Sequence, residues 1–362
     1  MQEIRPLTAL RGFAAIAVVT QHFSAEAQTL TPAWIPSLVP HGYMAVHFFF
    51  VLSGFIMSLT YLPAFEAAGR LAFPGFLLKR VARIVPLNLF TLAMLMVLGL
   101  LSHAVLGSNI FFNDSSLAFD LPANILMLQG IGIGTNLNGP SWSISTEFAA
   151  YFLFPVFIAF VFSRHRIVSI ATLMLAAGFL IRAAILLPRL GLWSAAIGDQ
   201  VLYCFTEFVL GMGAFILYRF RLGGGRPASD QDTWALLAAA AIGLVVGIDL
   251  IVALLCPFIV VAAALNRGAI ARLLSSRVPY FLGEVSFSIY LIHDPILHLV
   301  SPLFTHVHPE PLSAAGALLF AAAGTCAVIP FAWLTFAWVE RPGRRIVRRL
   351  AEPAHPGGEA AH

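Results

Sequence analysis

Apolar residues follow one another along the whole chain in long stretches, each ended by proline, glycine or a charged residue. The stretches are about 17–25 residues long, which is the length of helix that crosses a hydrocarbon layer of about 30 Å. Because backbone groups in lipid must form their hydrogen bonds within one segment, the stretches predict helices. We place ten spanning helices at 6–23, 43–62, 79–106, 142–162, 167–187, 199–218, 234–248, 250–265, 281–301 and 313–339.

Two apolar segments depart from this pattern. The stretch 121–133 is too short to span, and the glycines around its end disfavour a long helix, so we expect it to lie flat or to dip into the membrane. The first stretch is interrupted by Arg11 and no small-residue cleavage site follows it. It therefore predicts a retained first helix and not a secretory leader.

Composition and charge define the class of protein. Hydrophobic residues make up 59% of the chain and charged residues 10%, against about a quarter charged in soluble domains, which excludes a water-soluble fold. With the N-terminus inside, 18 of the 21 lysines and arginines fall in inner loops, while only Arg189 falls in an outer loop. The positive-inside rule then predicts an all-α, polytopic membrane protein with both termini in the cytoplasm.

Composition and charge also predict the domain organisation and the partners of the chain. We expect one transmembrane domain over 1–349 and a disordered cytoplasmic tail over 350–362, where proline, glycine and alanine dominate. The basic residues are spread through short loops without interleaved aromatic residues, so no nucleic-acid partner is predicted. Cys204, Cys256 and Cys326 lack the paired spacing of a metal site or a disulfide framework and are interpreted as packing residues.

Ionisable residues inside the predicted spans are the functional candidates, because a charge at a helix centre costs about 2.5–3.5 kcal/mol on insertion. Arg11 and His22 are eleven residues apart, about 20° from three whole helical turns, with a rise of about 16 Å. They therefore face the same side at different depths, with Arg11 nearer the cytoplasm. The alternative is that Arg11 extends to the inner surface and His22 caps the helix near water. The full set of candidates is Arg11, His22, Glu147, Arg182, Glu207 and His293.

Basic residues also cluster at the inner mouth of the third helix. Arg80 and Arg83 are one helical turn apart and can bind one polyanion together, with Lys79 beside them. The alternative is the ordinary positive charge of a cytoplasmic loop. Because Arg11 points toward the same end of the bundle, the balance moves toward an anion site.

Two further candidates lie in later helices. Glu147 enters an apolar span near its outer start, where Ser143 is a candidate cap, and an ion pair with Arg182 is the alternative interpretation. His293 lies in the middle of a helix, and the alternative for it is a packing histidine bonded to a neighbouring hydroxyl group. It ranks below His22 as a candidate for catalysis.

Six short segments, one in each of six predicted helices, carry recognisable motifs. They are Leu7-Thr-Ala-Leu-Arg11-Gly12 through His22, Phe48-Phe-Phe-Val-Leu-Ser-Gly-Phe55, Arg80-x-x-Arg83-Ile-x-Pro86, Ser141-Trp-Ser-Ile-Ser-x-Glu147, Glu207-Phe-Val-Leu-Gly211 and Ser286-Phe-Ser-Ile-Tyr-Leu-Ile-His293. Together, and in this order, they resemble the acyltransferase-3 family of bacterial integral membrane acyltransferases, which O-acylate surface glycans and some secreted metabolites.

The chain also departs from the family's pattern. His47 stands where an aspartate is frequent, and 203–205 lacks an arginine that often precedes Glu207. The element around Glu207 is therefore not assigned as a site. We expect no C-terminal esterase-like domain of the kind that some members carry, so the acceptor is expected to reach the membrane pocket directly or through a partner.

The resemblance implies an acyl-CoA donor, with acetyl-CoA as the default, and transfer to a hydroxyl group of a glycan or small molecule across the bacterial inner membrane. It implies that Arg80, Arg83 and Lys79 bind CoA phosphates with Arg11 further along. It also implies His22 as general base, which Glu147 orients or whose imidazolium it stabilises, and a transient acyl-histidine remains the alternative. The expected catalytic residues are His22, Glu147 and Arg11. The expected substrate-binding residues are Trp142, Ser143, Arg182 and His293, and no metal is predicted.

Two competing classes remain at this point. In a transporter or channel, the intramembrane Arg, Glu and His residues would form an ion relay. In a non-catalytic assembly partner, the polar line from Arg11 to His22 would have no purpose. The apolar surfaces leave a homo-oligomer open, because lipid-facing and partner-facing residues look alike in sequence.

Overall fold

The computed structural model describes residues 3–107, 111, 116–186, 197–222 and 228–351. Within those ranges the chain is helical and contains no strand. Arg189 and Arg226 of the predicted loops, and the predicted tail from residue 352 onward, lie outside the described residues. The helices are α1 Arg5–Thr29, α2 Met44–Ala68, α3 Phe73–Leu106, α4 Leu117–Ile125, α5 Ser141–Val161, α6 Arg166–Leu186, α7 Ile197–Leu222, α8 Asp230–Val246, α9 Asp249–Leu265, α10 Ala269–Leu274, α11 Arg277–Glu284, α12 Ser286–Val307, α13 Ala314–Thr335 and α14 Arg341–Ala351.

Each of the ten predicted segments carries a helix. The segment 281–301 contains a break, because α11 ends at Glu284 before α12 begins. The segment 313–339 is α13 followed by a π-helical turn, Phe336–Glu340, that continues into α14. The short stretch 121–133 forms the end of α4 and a 3₁₀ turn, neither long enough to span.

Among the residues that the structure describes, six helical stretches are long and apolar enough to cross a membrane, which indicates a multi-pass membrane protein. The longest stretch, Met44–Ala104, contains both α2 and α3. Helix α1 falls short in hydropathy because it carries Arg11, Gln21 and His22, and these are residues that line internal cavities. The six stretches are Met44–Ala104, Ser141–Val161, Arg166–Ala183, Gly198–Leu222, Ser286–Val307 and Ala314–Arg349.

Helix α1 packs against α2, α11, α12 and α13. It crosses α11 at a pair of glycines, where a Cβ on Gly283 would come within 2.0 Å of the Thr8 carbonyl oxygen. A Cβ on Gly12 would come within 2.6 Å of the Gly283 backbone nitrogen. Glycine lets membrane helices approach to backbone contact, and this crossing brings Arg11 next to the Gly283 carbonyl.

Glycines also set the crossing of α2 and α7. A Cβ on Gly54 would lie 1.9 Å from the Phe208 carbonyl oxygen, and one on Gly211 would lie 1.9 Å from that of Val51. The glycines of two family-like segments are therefore contact residues between helices.

Replacing Gly283 by alanine is expected to separate α11 from α1 and to lower the thermal midpoint of the purified protein. The added methyl group meets backbone atoms, which cannot yield as a flexible side chain can, so the cost is about 1–3 kcal/mol. Gly178→Ala in α6 is the matched control, since nothing lies within 4 Å of its Cβ position. Equal midpoints for the two variants would show that the crossing tolerates the methyl group.

Candidate active site

Two cavities lie side by side in the bundle and share Val46 and Tyr290 as lining residues. The first contains three arginines, and we call it the arginine cavity. The second contains His22, and we call it the histidine cavity. Polar residues of the arginine cavity are Arg11, Ser53, Arg80, Arg83, Ser143, Glu147, Tyr151, Ser286 and Tyr290. The histidine cavity is lined by Val18, Gln21, His22, Tyr43, Val46, Pro140, Trp142 and Tyr290.

Arg80 is the most buried cation of the arginine cavity, with 8% of its surface exposed. Its guanidinium donates a 2.7 Å hydrogen bond to the Tyr61 hydroxyl and lies over the rings of Tyr61 and Tyr151, 5.1 and 6.0 Å from their centroids. Its Nε atom is buried without a hydrogen-bond partner among the described residues. Such a donor costs free energy when it is left unpaired, so a bound acceptor would stabilise it.

Arg11 and Arg83 complete the positive charge of the arginine cavity. Arg11 donates to the Ser286 hydroxyl at 3.2 Å and to the Gly283 carbonyl at 3.4 Å, which directs its guanidinium toward the start of α12. Among the described lining residues, Glu147 is the sole carboxylate beside these three cations. The excess of positive charge suits a polyanion.

Glu147 lies in the arginine cavity and accepts a hydrogen bond from Tyr151, one helical turn further along α5. It does not contact His22, so the predicted orientation of His22 by Glu147 is not found. The two residues line different cavities, Glu147 the arginine cavity and His22 the histidine cavity. Ser143 lines the same cavity, and its hydroxyl lies 2.7 Å from that of Tyr290.

His22 is paired with His293 instead. The Nδ1 atom of His22 lies 2.7 Å from Nε2 of His293, and the two ring centroids are 4.9 Å apart. His293 is fully buried and lines neither cavity, whereas His22 lines the histidine cavity. Because Nδ1 of His22 is occupied, its Nε2 is the nitrogen available to a molecule in that cavity.

The remaining predicted residues lie in different places. Trp142 lines the histidine cavity, with its ring edge-to-face against Phe50. Lys79 is exposed and lines neither cavity, and its ammonium lies 5.7 Å from the centroid of the Tyr61 ring. Arg182 is exposed on α6 and lines neither cavity, and no ion pair between it and Glu147 is present in the described part of the chain.

Several residues of the site were missed by sequence reasoning. The tyrosines at 61, 151 and 290 bind or cover the polar groups described above, and the spacing of Tyr151 four residues after Glu147 was the available signal. His47, a position at which the chain departs from the family's pattern, and Glu207 form a buried 2.7 Å contact between Nδ1 and Oε1. This contact joins α2 to α7 and lies outside both cavities.

The family model Acyl_transf_3, described as an acyltransferase domain, matches residues 5–337, nearly the whole chain. The chain belongs to this family. It is therefore an acyltransferase, which confirms the resemblance drawn from the six segments. Both cavities lie inside the matched region, whereas α14 lies beyond it.

Two curated relatives carry acyltransferase names. The chain is 29% identical over 377 residues to "Acyltransferase MdmB" of Streptomyces mycarofaciens, covering 95% of this chain and 92% of the relative. It is 24% identical over 334 residues to "Putative peptidoglycan O-acetyltransferase YrhL" of Bacillus subtilis (strain 168), covering 82% of this chain. The match spans 49% of YrhL, about half its length. No solved structure matches the chain.

Proposed function

We propose that this acyltransferase moves an acyl group, acetyl by default, from cytoplasmic acyl-CoA to a hydroxyl group presented at the outer face of the bacterial inner membrane. The observation that carries the proposal is the adjacency of an arginine-lined cavity and a histidine-lined cavity. The proposed topology has ten spans in a single domain, 1–349, with both termini in the cytoplasm. In this topology the arginine cavity faces the cytoplasm. The membrane family favours this function over an ion-relay transporter.

The donor is held by its charge. CoA carries a pyrophosphate and a phosphomonoester, and guanidinium groups bind phosphate oxygens in pairs. Arg80 and Arg83 would hold phosphate groups, while Arg11 lies between them and the start of α12. An extended pantetheine arm is long enough to pass from this cavity to its shared wall at Val46 and Tyr290, where the thioester meets the histidine cavity.

His22 acts as general base in this proposal. Its Nε2 takes the proton of the acceptor hydroxyl as the hydroxyl oxygen attacks the thioester carbonyl carbon. The C–S bond then breaks, and the departing CoA thiolate takes the proton back from His22. For Nε2 to be free, Nδ1 must carry the hydrogen and donate it to Nε2 of His293, so His293 is assigned a positioning role in place of the predicted substrate contact.

The acceptor is expected in the histidine cavity, beside Trp142 and Gln21. An indole ring offers an apolar face to a sugar, and the Gln21 side-chain oxygen is buried without a hydrogen-bond partner among the described residues. A glycan or lipid-linked sugar is therefore the leading acceptor, and a small hydroxyl compound is the second. The name of the relative YrhL refers to peptidoglycan, which supports the glycan class.

The proposed reaction is tested with the purified protein in liposomes. Labelled acetyl-CoA supplied on the side of the termini should yield an acylated product with an outer-face acceptor, or slow thioester hydrolysis without one. Mass spectrometry of surface glycans from cells with and without the protein then identifies the acceptor class. Movement of an ion without consumption of the thioester would contradict the proposal.

Replacing His293 by alanine is expected to lower kcat by about 10–10²-fold with little change in the donor KM. The loss is part of the 10²–10⁴-fold that a general base contributes, because His22 loses the partner that holds its ring. His293→Gln, which keeps a hydrogen-bonding group, should restore part of kcat. Steady-state kinetics on both variants check this, and a change confined to an acceptor KM would instead make His293 a substrate-binding residue.

A further inference from the structure

We propose that Arg344, on the C-terminal helix α14, is a fourth arginine of the donor site and binds a phosphate group of the acyl donor together with Arg80 and Arg83. The inference rests on the proposed function, because that function supplies the phosphorylated donor. It adds a residue beyond the region that the family model matches, which ends at residue 337.

Helix α14 is brought back onto the site by close packing. After the π-helical turn it packs against α3, the helix that carries Arg80 and Arg83. A Cβ on Gly343 would lie 2.5 Å from the Cβ of Pro86, so the glycine permits the close approach. Pro86 is three residues, less than one turn, beyond Arg83. Arg344, next to Gly343, is thereby placed beside the inner mouth of α3.

The charges of these residues act on one another. Arg344 interacts electrostatically with Arg83 and Arg80, and Arg11 interacts with both Arg83 and Arg344. Like charges held together destabilise a protein unless an anion lies between them. The four guanidinium groups therefore form one positive cluster. Three of them line the arginine cavity, and Arg344 is the fourth.

Arg344 also has free hydrogen-bonding capacity. One of its terminal nitrogens pairs with Glu340, and 28% of its side chain is exposed. Its Nε is buried without a partner in the part of the chain that the structure describes, as is the Nε of Arg80. Two unpaired donors on two members of one cluster point to an absent acceptor with several oxygens.

Glu340 fixes the position of Arg344. This carboxylate is 1% exposed, pairs with Arg344 and accepts a 2.6 Å hydrogen bond from the Ser288 hydroxyl of α12. With Glu147, it leaves two carboxylates against four arginines. Arg348 adds a further positive charge beside Arg344, and this excess of positive charge suits a phosphate group, the chemistry of the CoA nucleotide. A lipid headgroup phosphate shares that chemistry and is the source that the test must separate.

The test compares Arg344→Gln with Arg345→Gln in the full chain, reconstituted in phosphatidylcholine nanodiscs. Arg345 is the matched control, because it is the next residue on the same helix, has the same charge and is exposed. Binding of CoA, dephospho-CoA and pantetheine is measured by displacement of labelled acetyl-CoA. We expect Arg344→Gln to weaken CoA binding about tenfold or more, with the effect lost for pantetheine, and Arg345→Gln to have no effect.

Several results would overturn the assignment. Equal affinities of the two variants for CoA, or the same loss of affinity for CoA and for pantetheine, would show that the Arg344–Glu340 pair only holds α14 in place. If Arg344→Gln weakened only the binding of phosphatidylglycerol vesicles and not the binding of CoA, the phosphate group bound by Arg344 would be that of a lipid. If the glutamine variant does not fold, Arg344→Lys, which keeps the charge, takes its place in the assay. A lysine variant that binds CoA with the affinity of the wild type would also overturn the assignment.

The same assay separates this inference from the proposed function. If Arg80→Gln weakens CoA binding and Arg344→Gln does not, the donor site stands and only the role of Arg344 fails. If the wild-type protein binds CoA no better than pantetheine, the phosphate site itself fails.

Discussion

Replacing His22 by alanine is expected to lower the rate of acyl transfer by about 10²–10⁴-fold while the protein still folds and binds CoA. The loss follows from removal of the proposed base for the acceptor proton, since a positioned general base contributes a factor of this size. Helix α1 should persist, because alanine favours the helical conformation and His22 is not part of its glycine contacts. Transfer of labelled acetyl groups at saturating donor gives kcat, and displacement of labelled acetyl-CoA gives the affinity.

His306→Ala is the matched control for this prediction. His306 is an exposed histidine in the last turn of α12, the helix that also carries His293, and it lines neither cavity. Its replacement should leave kcat unchanged. A His22→Ala protein with wild-type turnover would remove the base role, and one that had lost CoA binding as well would point to a collapsed cavity.

Replacing Arg80 by glutamine is expected to raise the KM for acetyl-CoA by about 10–10²-fold, with a smaller change in kcat. A hydrogen bond to a charged group contributes about 1.5–3 kcal/mol, and the phosphate group would lose its most buried partner. Arg80→Lys should recover only part of the affinity, because an ammonium group cannot form the paired contact of a guanidinium. Arg83→Gln should act in the same direction.

A large change in the donor KM with a smaller change in kcat identifies Arg80 as a donor-binding residue. Arg70→Gln changes an exposed arginine between α2 and α3 and should leave KM unchanged. Because Arg80 also packs between Tyr61 and Tyr151, thermal midpoints of the variants must be compared first. An unchanged donor KM in a folded Arg80→Gln protein would exclude the phosphate clamp.

The helices and the first part of the site could be predicted because their causes are local. Apolar length specifies a helix in lipid, and the positions of α1 to α3 follow from it. The spacing of Arg11 and His22 is a property of one helix, so the two residues open onto adjacent cavities on the same side of α1. The pair Arg80 and Arg83 depends on a single turn for the same reason.

The contacts between helices could not be predicted in this way. His22 and His293 are 271 residues apart, and which of the buried polar groups meets His22 depends on how α12 packs against α1. Glu147 was expected at His22 because both lie near one end of their helices, but the packing of the helices places them in different cavities. The return of α14 onto α3 depends on contact at Gly343, which a pattern of charge does not reveal.

The most direct test of the account is a cryo-electron microscopy structure of the protein bound to a non-hydrolysable acetyl-CoA analogue in which a methylene group separates sulfur from the carbonyl. The account predicts phosphate density at Arg80 and Arg83, a pantetheine arm passing Tyr290, and the carbonyl group beside Nε2 of His22. Nucleotide density away from the arginine cavity, or a carbonyl group on the far side of the bundle from His22, would contradict it.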